Sequence, residues 1–532
     1  MSAPVPVVDD DLVARLRADL TAADFTVTGT LQVLGPLASG ALAREQSLPA
    51  RRVASASSTP AATLIRLFTL GDPVDVAEVD RALPTLRLAG AIALGLVTEE
   101  GDGVVARFDI RPYASDDRHW WVASDLAEVA TGSPVREDHV LGIGGASTTL
   151  AQWTIRRPVA KALDLGTGCG VQALHLGHHA DHIVVTDLSE RALAFARFNA
   201  ALNECAWDVR SGSMLEPVAG ERFDLVVSNP PFVITPRSGE VPLFEYRDGG
   251  AAGDSVVAGL VRSVGEHLEP GGVAQLLGNW EVPRGSTWTE RVGSWLEGAG
   301  VDAWVVQREV QDPAEYAETW SRDGGHHAGT ADFDAMYAAW LDDFASRDIE
   351  AIGFGVITLH RPATDREPFV DLMDERGPVP AAMGDVVQVG LEARTWLAEH
   401  SDDEVLDRAW KGTPDVTEER HTLPGASDPS VIVARQGGGL GRVIRLTTVT
   451  AAYLSVADGE LTPRQGRRSD RGDPRSRPSR DRARGRRVRP GRCQGRPPRG
   501  TDGLTTAPRH PAGASQRTHR RVDPPALPAK VS

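Results

Sequence analysis

The chain has 532 residues, 41% of them hydrophobic, which is enough for two or three domains with buried cores. It has no run of about eighteen apolar residues, so we expect no membrane span. Its three cysteines are far apart and form no CxxC pair, which excludes a disulfide scaffold and fits a reducing cytoplasm. We therefore expect a cytoplasmic protein.

The formal net charge of −16 conceals two parts of opposite sign. Residues 461–532 contain 20 Lys and Arg against 5 Asp and Glu, a net charge of +15, so residues 1–460 carry −31. An acidic body of this kind repels phosphate backbones unless a local basic patch overrides its field. Loose nucleic-acid binding is therefore disfavoured, although one specific, structured site remains compatible with this charge.

Residues 1–135 are predicted to form an N-terminal accessory domain. The pattern indicates helices over residues 59–70, from residue 75 and over residues 86–96, and a hairpin over residues 97–110. Three short helices and a hairpin resemble a winged helix. Because the segment shows no basic recognition helix, a structural role is favoured over DNA reading.

From about residue 139 the pattern changes to alternating strands and helices, which is typical of a parallel α/β sheet. Seven strands are predicted, over residues 162–165, 183–186, 207–210, 223–228, 272–278, 301–306 and 351–359. This order predicts an α/β fold. Its core, over residues 136–362, is expected to be a doubly wound, seven-stranded, Rossmann-like sheet whose last strand is inserted between two others.

Residues 363–460 are predicted to form a C-terminal accessory domain of unassigned function, with a helix near residues 389–399. From residue 461 the sequence turns to Arg, Pro, Gly and Ser, which predicts a disordered tail. This tail is either a basic arm for an acidic partner or the product of a reading-frame shift near residues 437–462. The abrupt loss of pattern favours the frame shift.

A glycine-rich loop, Asp164-Leu-Gly166-Thr-Gly168-Cys-Gly170, directly follows the first core strand and precedes a helix. Glycines allow a tight turn and a close approach of a ligand to the backbone. Asp164 would repel a phosphate but can pair with a cationic amino-acid group. Asp187 ends the second strand, where an acidic side chain can accept hydrogen bonds from both hydroxyls of a ribose.

These residues resemble the class I S-adenosylmethionine-dependent methyltransferases, and the resemblance covers about residues 139–362. In that family the loop lies against the methionine part of the cofactor, which implies this role for Asp164, Gly166 and Gly168, and the ribose role for Asp187. Ser213 and Met214 follow the third strand, where many relatives place an acid near the adenine. Ser213 departs from that pattern and is expected to contact the adenine by its hydroxyl or backbone.

The tetrapeptide Asn229-Pro230-Pro231-Phe232 follows the fourth strand, at the sheet edge where ligands bind in such folds. An exocyclic amine or amide nitrogen is a poor nucleophile because its lone pair is delocalised. The Asn229 side-chain oxygen and the Pro230 carbonyl can accept its two hydrogens, while Phe232 stacks on the planar group. With a methyl group already activated by a sulfonium, such positioning can supply most of the acceleration.

The tetrapeptide resembles two groups of methyltransferases, which leaves the substrate open. One group acts on exocyclic amines of nucleic-acid bases, and the other comprises the HemK-like release-factor glutamine methyltransferases, which typically carry Tyr at the position of Phe232. The segment 246–250 and Asp254 also resemble the second group. We expect a base amine in nucleic acid, with RNA favoured over DNA. The alternatives are a protein glutamine amide and a cofactor-binding protein that has lost catalysis.

Other polar residues are given structural roles. His175, His178, His179 and His182 show no fixed metal-ligand spacing, so no metal is expected and a solvated helix end is favoured. Cys169 is expected to fill space beside the strand, because no His–Asp pair accompanies it. Residues 139–147 lie where relatives fold a segment over the cofactor.

Overall fold

A computed structural model describes residues 4–132, 135–237, 241, 243–326, 328–380 and 382–470. Its N-terminal part consists of helices followed by two hairpins. The helices are α1 (Asp10–Ala22), α2 (Val27–Leu42, kinked at Gly35), α3 (Leu48–Ser55), α4 (Pro60–Leu64, continued by a π-helical turn Ile65–Thr69), α5 (Val76–Ala82) and α6 (Arg87–Ala93). The hairpins are β1 (Val97–Glu100) with β2 (Gly103–Ala106) and β3 (Phe108–Ser115) with β4 (Arg118–Asp125).

The three helices and the hairpin that were predicted here correspond to α4, α5, α6 and β1–β2. The alternating run that was assigned to one hairpin is divided at Arg107, because Phe108 begins the separate hairpin β3–β4. Helices α1 to α3 were not predicted. Asp9 and Thr26 cap α1 and α2 through their side chains, a signal that the sequence contains.

The central sheet confirms the doubly wound prediction. Its strands are β5 (Val159–Leu165), β6 (Ala180–Asp187), β7 (Trp207–Ser211), β8 (Phe223–Ser228), β9 (Leu268–Pro283), β10 (Asp302–Gln311), β11 (Ile349–His360) and β12 (Val370–Asp374). They lie in the order β12-β10-β11-β9-β8-β5-β6-β7. Strands β5 to β9 are mutually parallel, and β11 is inserted antiparallel between β9 and β10.

The prediction of seven strands was wrong by one, because β12 adds an eighth strand beside β10. This strand lies in the segment that was assigned to the C-terminal accessory region. Met383, Val387 and Leu391, from the following helix, belong to the same buried cluster as Ala162 and Val185 of the sheet. The beginning of the C-terminal segment therefore completes the central sheet, since its apolar side chains cover one face.

Helices of the central region pack around this sheet. They are α7 (Glu128–Thr131), α8 (Gly145–Trp153), α9 (Val171–Leu176), α10 (Glu190–Leu202), α11 (Ser255–Ser263), α12 (Trp288–Leu296), α13 (Pro313–Asp323) and α14 (Ala331–Ser346), with 3₁₀ turns at Glu216–Val218 and Val264–His267. The remaining elements are α15 (Gly384–Glu399), α16 (Asp402–Asp407), the sheet β13 (Val416–His421), β14 (Val431–Gln436) and β15 (Val443–Leu446), α17 (Thr448–Leu454) and α18 (Pro463–Asp470).

Beyond residue 470, the tail that was predicted to be disordered lies outside the described residues. Its first ten residues are described and include α18, where Arg464 pairs with Asp403 and Asp407 of α16 at 2.6 and 2.7 Å. Among the described helices, none is both long enough and apolar enough to cross a membrane.

The N-terminal part and the central sheet share one hydrophobic core. Phe108 of β3 meets Phe195 of α10 edge to face, with ring centroids 5.1 Å apart. Asn199 of α10 is fully buried, and its side chain bonds to the Ala123 backbone N–H and carbonyl at 2.8 and 2.9 Å. The same amide donates to the Cys169 carbonyl at 2.8 Å. Asn199 therefore ties hairpin β3–β4 to the glycine-rich loop.

We expect Asn199→Ala to lower the free energy of unfolding by roughly 2–5 kcal/mol, because it leaves three buried backbone groups without their partner. Chemical denaturation measures this loss. Asn203→Ala is the control, since Asn203 caps the C-terminus of α10, is only half-buried and should cost less. Equal losses in the two variants would contradict this role of Asn199.

Candidate active site

The glycine-rich loop forms an open cradle at the carboxyl end of β5. Gly166 and Gly168 have φ angles of +70° and +55°, which glycine adopts without strain. A Cβ atom at either position would meet no atom within 4 Å, so their faces are open to a ligand. Gly170 differs, because a Cβ there would lie 2.6 Å from the Trp207 ring. With its φ of +92°, Gly170 therefore requires glycine both for its backbone conformation and for packing against Trp207.

Asp164 lies fully buried under this loop. Its Oδ2 accepts hydrogen bonds from the Thr167 hydroxyl at 2.6 Å and from the Ala173 N–H of α9 at 3.0 Å. Its Oδ1 has no hydrogen-bond partner among the described residues. Burial raises the pKa of Asp164 to about 7. The carboxyl group thus holds the loop with one oxygen and keeps the other free for a donor.

Asp187 ends β6 beside the loop. Its Oδ2 accepts from the Gly168 N–H and its Oδ1 from the Ser189 N–H, both at 2.9 Å. Burial raises its pKa, and the negative charge of Glu245 contributes in the same direction. Each carboxylate oxygen retains a lone pair, so the group can still accept hydrogen bonds from a ligand.

Ser213 and Met214 follow β7, the strand next to β6. The Gly212 N–H donates to the Asp187 carbonyl at 3.0 Å, which brings this turn beside the end of β6. Met214 has a φ of +49°, and its side chain packs against the core that contains Leu163 and Leu215. The turn therefore lies at the same sheet edge as the glycine-rich loop.

Asn229 follows β8, the strand that pairs with β5 on the other side. Leu165 and Ser228 are register partners, and the Ser228 hydroxyl donates to the Leu165 carbonyl at 2.7 Å. The glycine-rich loop and the Asn229 tetrapeptide therefore leave neighbouring strands at one level. The Asn229 Oδ1 is buried and has no hydrogen-bond partner among the described residues.

Phe232 is fixed by its backbone and packs beside an indole. Its backbone forms a bridge with Asp248, and the next N–H, of Val233, donates to the Arg247 carbonyl at 3.0 Å. The Phe232 ring lies 6.3 Å from the Trp320 ring at an interplanar angle of 73°. Pro230 is buried and Pro231 is half-buried in the same turn.

The segment around residues 246–248 is anchored by α13. Asp323 accepts hydrogen bonds from the Tyr246 hydroxyl at 2.8 Å and from Arg247 Nη1 at 2.6 Å. Arg247 is 3% exposed and also donates to the Trp320 carbonyl at 2.9 Å. Helix α13, and with it Trp320 and Asp323, was missing from the sequence prediction. Asp312 followed by a proline and Glu315 was the available helix-start signal.

Asp254, which was grouped with this segment, lies at the start of α11. Its Oδ2 accepts from the Glu281 N–H at 3.0 Å and from Arg291 Nε at 2.9 Å. The geometry gives this carboxylate a structural role between α11, β9 and α12.

The segment before β5 lies beside the 244–248 segment. The Glu245 N–H donates to the Glu137 carbonyl at 2.9 Å. The buried ring of His139 lies 6.0 Å from the Tyr246 ring, and burial lowers the pKa of His139. Helix α8 follows, and its Ser147 carbonyl accepts from Gln172 of α9 at 2.8 Å.

Cys169 and His175 lie near the loop, and the structure agrees with the sequence interpretation of Cys169 but not with that of His175. Cys169 is buried, and burial raises the pKa of its thiol to about 12, which confirms that it fills space. The interpretation that His175 lies at a solvated helix end was wrong, because this residue is 4% exposed and its ring bonds to the Tyr113 hydroxyl at 2.8 Å. Burial lowers its pKa to about 4. In the described part of the chain, no group of three or more ligating side chains could hold a metal ion.

Two segments of the chain match known protein families. Residues 144–297 match the family described as "Methyltransferase small domain". This part of the chain belongs to the small-domain methyltransferases. Residues 22–107 match a second family, described as "Domain of unknown function (DUF7059)". The methyltransferase domain contains β5 to β9, the glycine-rich loop and the Asn229 tetrapeptide.

Curated relatives of the methyltransferase domain fall into two groups. A release factor glutamine methyltransferase from Geobacter sulfurreducens is 37% identical over 127 residues, which are 22% of this chain and 45% of that protein. A ribosomal RNA small subunit methyltransferase C from Klebsiella pneumoniae is 32% identical over 125 residues, which are 23% of this chain and 32% of that protein. The chain thus spans less than half the length of these curated relatives.

Solved structures that align with part of this chain include a T. thermophilus 16S rRNA methyltransferase in complex with AdoMet and guanosine. It is 20% identical, covers 47% of this chain and 66% of its own length, and has a TM-score of 0.26. The Bacillus YcgJ protein is 13% identical, covers 41% of this chain and 98% of its own length, and has a TM-score of 0.28.

Proposed function

We propose that this chain transfers a methyl group from S-adenosylmethionine to an exocyclic amine of a nucleic-acid base, with RNA favoured over DNA. The observation that carries the proposal is the buried, unpartnered Asn229 Oδ1 at the end of β8. An unsatisfied buried acceptor costs about 1–3 kcal/mol, and a donor that arrives with a ligand would remove this cost. Asn229 lies next to the glycine-rich loop, where the open faces of Gly166 and Gly168 would receive S-adenosylmethionine.

The residues present fit S-adenosylmethionine. Gly166 and Gly168 leave room along the loop, and the free Asp164 Oδ1 matches a cationic ammonium group. Asp187 would hold the two ribose hydroxyls, and Ser213 and Met214 would border the adenine. When bound, the cofactor supplies a methyl group that its sulfonium already activates.

The residues of the chain then position the acceptor nitrogen. Asn229 Oδ1 and the Pro230 carbonyl accept its two hydrogens, which directs its lone pair toward the methyl group. Phe232 stacks on the plane of the base, and Asp248 and Arg247 fix its backbone. As the N–C bond forms, the S–C bond to the methyl group would break and leave a neutral thioether. The nitrogen, then positively charged, would release one of its hydrogens to water as a proton, so no general base is assigned.

A protein glutamine amide is the second candidate, and two observations favour it. The body of residues 1–460 carries a net charge of −31, which repels a polyanion. The Geobacter relative is named a release factor glutamine methyltransferase. A protein that binds the cofactor without catalysis is the third candidate, favoured only by Ser213 at the position where many relatives carry an acid.

The experiment that tests the proposal is a screen with methyl-labelled S-adenosylmethionine. Ribosomal RNA, genomic DNA and release factors are offered separately to the purified full-length chain. Label in RNA supports the proposal, and label in release factor alone supports the glutamine alternative. If a protein that binds the cofactor labels none of the three, the non-catalytic candidate is favoured.

Cofactor affinity should depend on pH through Asp164. Only the ionised carboxyl attracts an ammonium group, and burial raises its pKa to about 7 in the free protein. The dissociation constant should therefore be flat just above that pH and rise by about tenfold per unit below it, because binding must then release a proton. Asp164→Asn should bind more weakly and lose this dependence. A wild-type profile that is flat from about pH 5 to 7 would contradict the role.

A further inference from the structure

Helices α13 and α14 place two buried indoles behind the tetrapeptide. Trp320 and Trp340 belong to one hydrophobic cluster with Val233, Ile234 and Tyr316, and Phe232 packs against it. Trp320 is 5% exposed and Trp340 is fully buried. Neither indole Nε1–H has a hydrogen-bond partner among the described residues. Two indoles of the same cluster thus carry an unsatisfied buried donor.

The two indoles differ in the aromatic rings that they contact. Trp320 lies beside Phe232, with ring centroids 6.3 Å apart at 73°. Both indoles contact Tyr316, at 5.9 and 5.6 Å, whereas Trp340 also packs on Phe344 at 6.0 Å. The tetrapeptide thus holds an unsatisfied acceptor on Asn229, and its Phe232 packs beside an indole with an unsatisfied donor.

This pair matches the chemistry of the proposed substrate. An exocyclic amine of adenine, guanine or cytosine is always bonded to a carbon that also carries a ring nitrogen with a free lone pair. The amine needs an acceptor, and the neighbouring ring nitrogen needs a donor. An aliphatic amine carries no such neighbouring acceptor and would leave an indole donor unsatisfied.

We propose that the Trp320 indole N–H donates to the ring nitrogen beside the methylated amine, which makes Trp320 a specificity-determining residue of the site. The inference rests on the proposed function and goes beyond it, because it assigns recognition of the base to α13. The Arg247 guanidinium, 5.7 Å from the Trp320 ring and bonded to its carbonyl, holds this tryptophan in place. The site therefore favours a planar group whose amine stands beside an acceptor atom over an aliphatic amine.

The test compares Trp320→Phe with Trp340→Phe, which removes an equivalent buried indole N–H from the same cluster. Each protein is assayed on short RNAs with a single adenine or guanine, and on the same RNAs with 1-deazaadenine or 3-deazaguanine. These analogues replace the ring nitrogen by C–H. For wild type and Trp340→Phe, we expect the deaza base to lower kcat/KM by about tenfold, the cost of a lost buried hydrogen bond.

For Trp320→Phe, we expect the natural base to be about tenfold slower than with wild type and the deaza base to cause no further loss. An unchanged deaza effect in this variant overturns the inference. Methylation of a glutamine-amide peptide but neither base also overturns it, together with the nucleobase form of the proposed function.

If wild type methylates neither probe, the labelled-methyl screen decides the proposed function, and indole NMR decides the inference. Adenosine or guanosine is added with S-adenosylhomocysteine to the full chain, and the two resonances are assigned with the two variants. A downfield shift of the Trp320 indole proton alone supports the inference. No shift, or equal shifts of Trp320 and Trp340, overturns it.

Discussion

Asn229→Ala reduces methyl transfer to a small residual rate while cofactor binding is kept: this is the largest effect that we expect from a single substitution. The Asn229 Oδ1 is a buried acceptor with no hydrogen-bond partner among the described residues. Removing one preorganised polar contact of this kind lowers kcat by about 10²–10³-fold in other enzymes. A labelled-methyl assay measures the rate, and calorimetry measures cofactor affinity.

Asn203→Ala serves as the control for this result. Asn203 caps the C-terminus of α10 at the interface with hairpin β3–β4, where it bonds to Trp121 and not to the tetrapeptide. We expect this control to keep the wild-type rate. If Asn229→Ala retains wild-type transfer, Asn229 has no part in holding the acceptor, and the tetrapeptide is then a structural turn.

Asp187→Ala should raise the dissociation constant for S-adenosylmethionine by about 10–100-fold, the second largest effect. A hydrogen bond to a charged group contributes roughly 1.5–3 kcal/mol, and the carboxylate has room for two ribose hydroxyls. Part of the loss comes through the loop, because Asp187 also accepts from the Gly168 N–H at 2.9 Å. Asp187→Asn retains one acceptor oxygen and should lose less affinity.

Asp208→Ala is the matched control, since Asp208 lies on neighbouring β7 and pairs with Arg210 at 2.7 Å. Its affinity should equal that of wild type. An unchanged affinity in Asp187→Ala would refute the ribose assignment, whereas a loss that is equal in Asp187→Ala and Asp208→Ala would indicate a general disturbance of the sheet edge.

The sequence predicted the central strands and the two loops that leave them, because both signals are local. Short apolar runs mark β5, β6 and β8, and a glycine-rich loop and an Asn-Pro pair mark the carboxyl ends of β5 and β8. Parallel pairing then brings those ends to one edge without further information. The Gly166 loop and Asn229 were therefore predicted at the carboxyl edge of one sheet, whereas the pairing of β5 with β8 is seen only in the structure.

What the sequence did not predict depends on long-range contacts. β12 was placed in a separate region, since nothing in its five residues shows that it pairs with β10. His175 was assigned to solvent, because the Tyr113 hydroxyl that satisfies it comes from a hairpin 62 residues away along the chain. Trp320 was not recognised, since its relation to Phe232 exists only in the folded chain.

Calorimetric titration of the full-length chain with S-adenosylmethionine tests directly whether this sheet edge binds the cofactor. We expect saturable binding at one site per chain, retained in Asn229→Ala and weakened in Asp187→Ala. A wild-type protein that is folded by circular dichroism and yet gives no binding would rule out the proposed cofactor site.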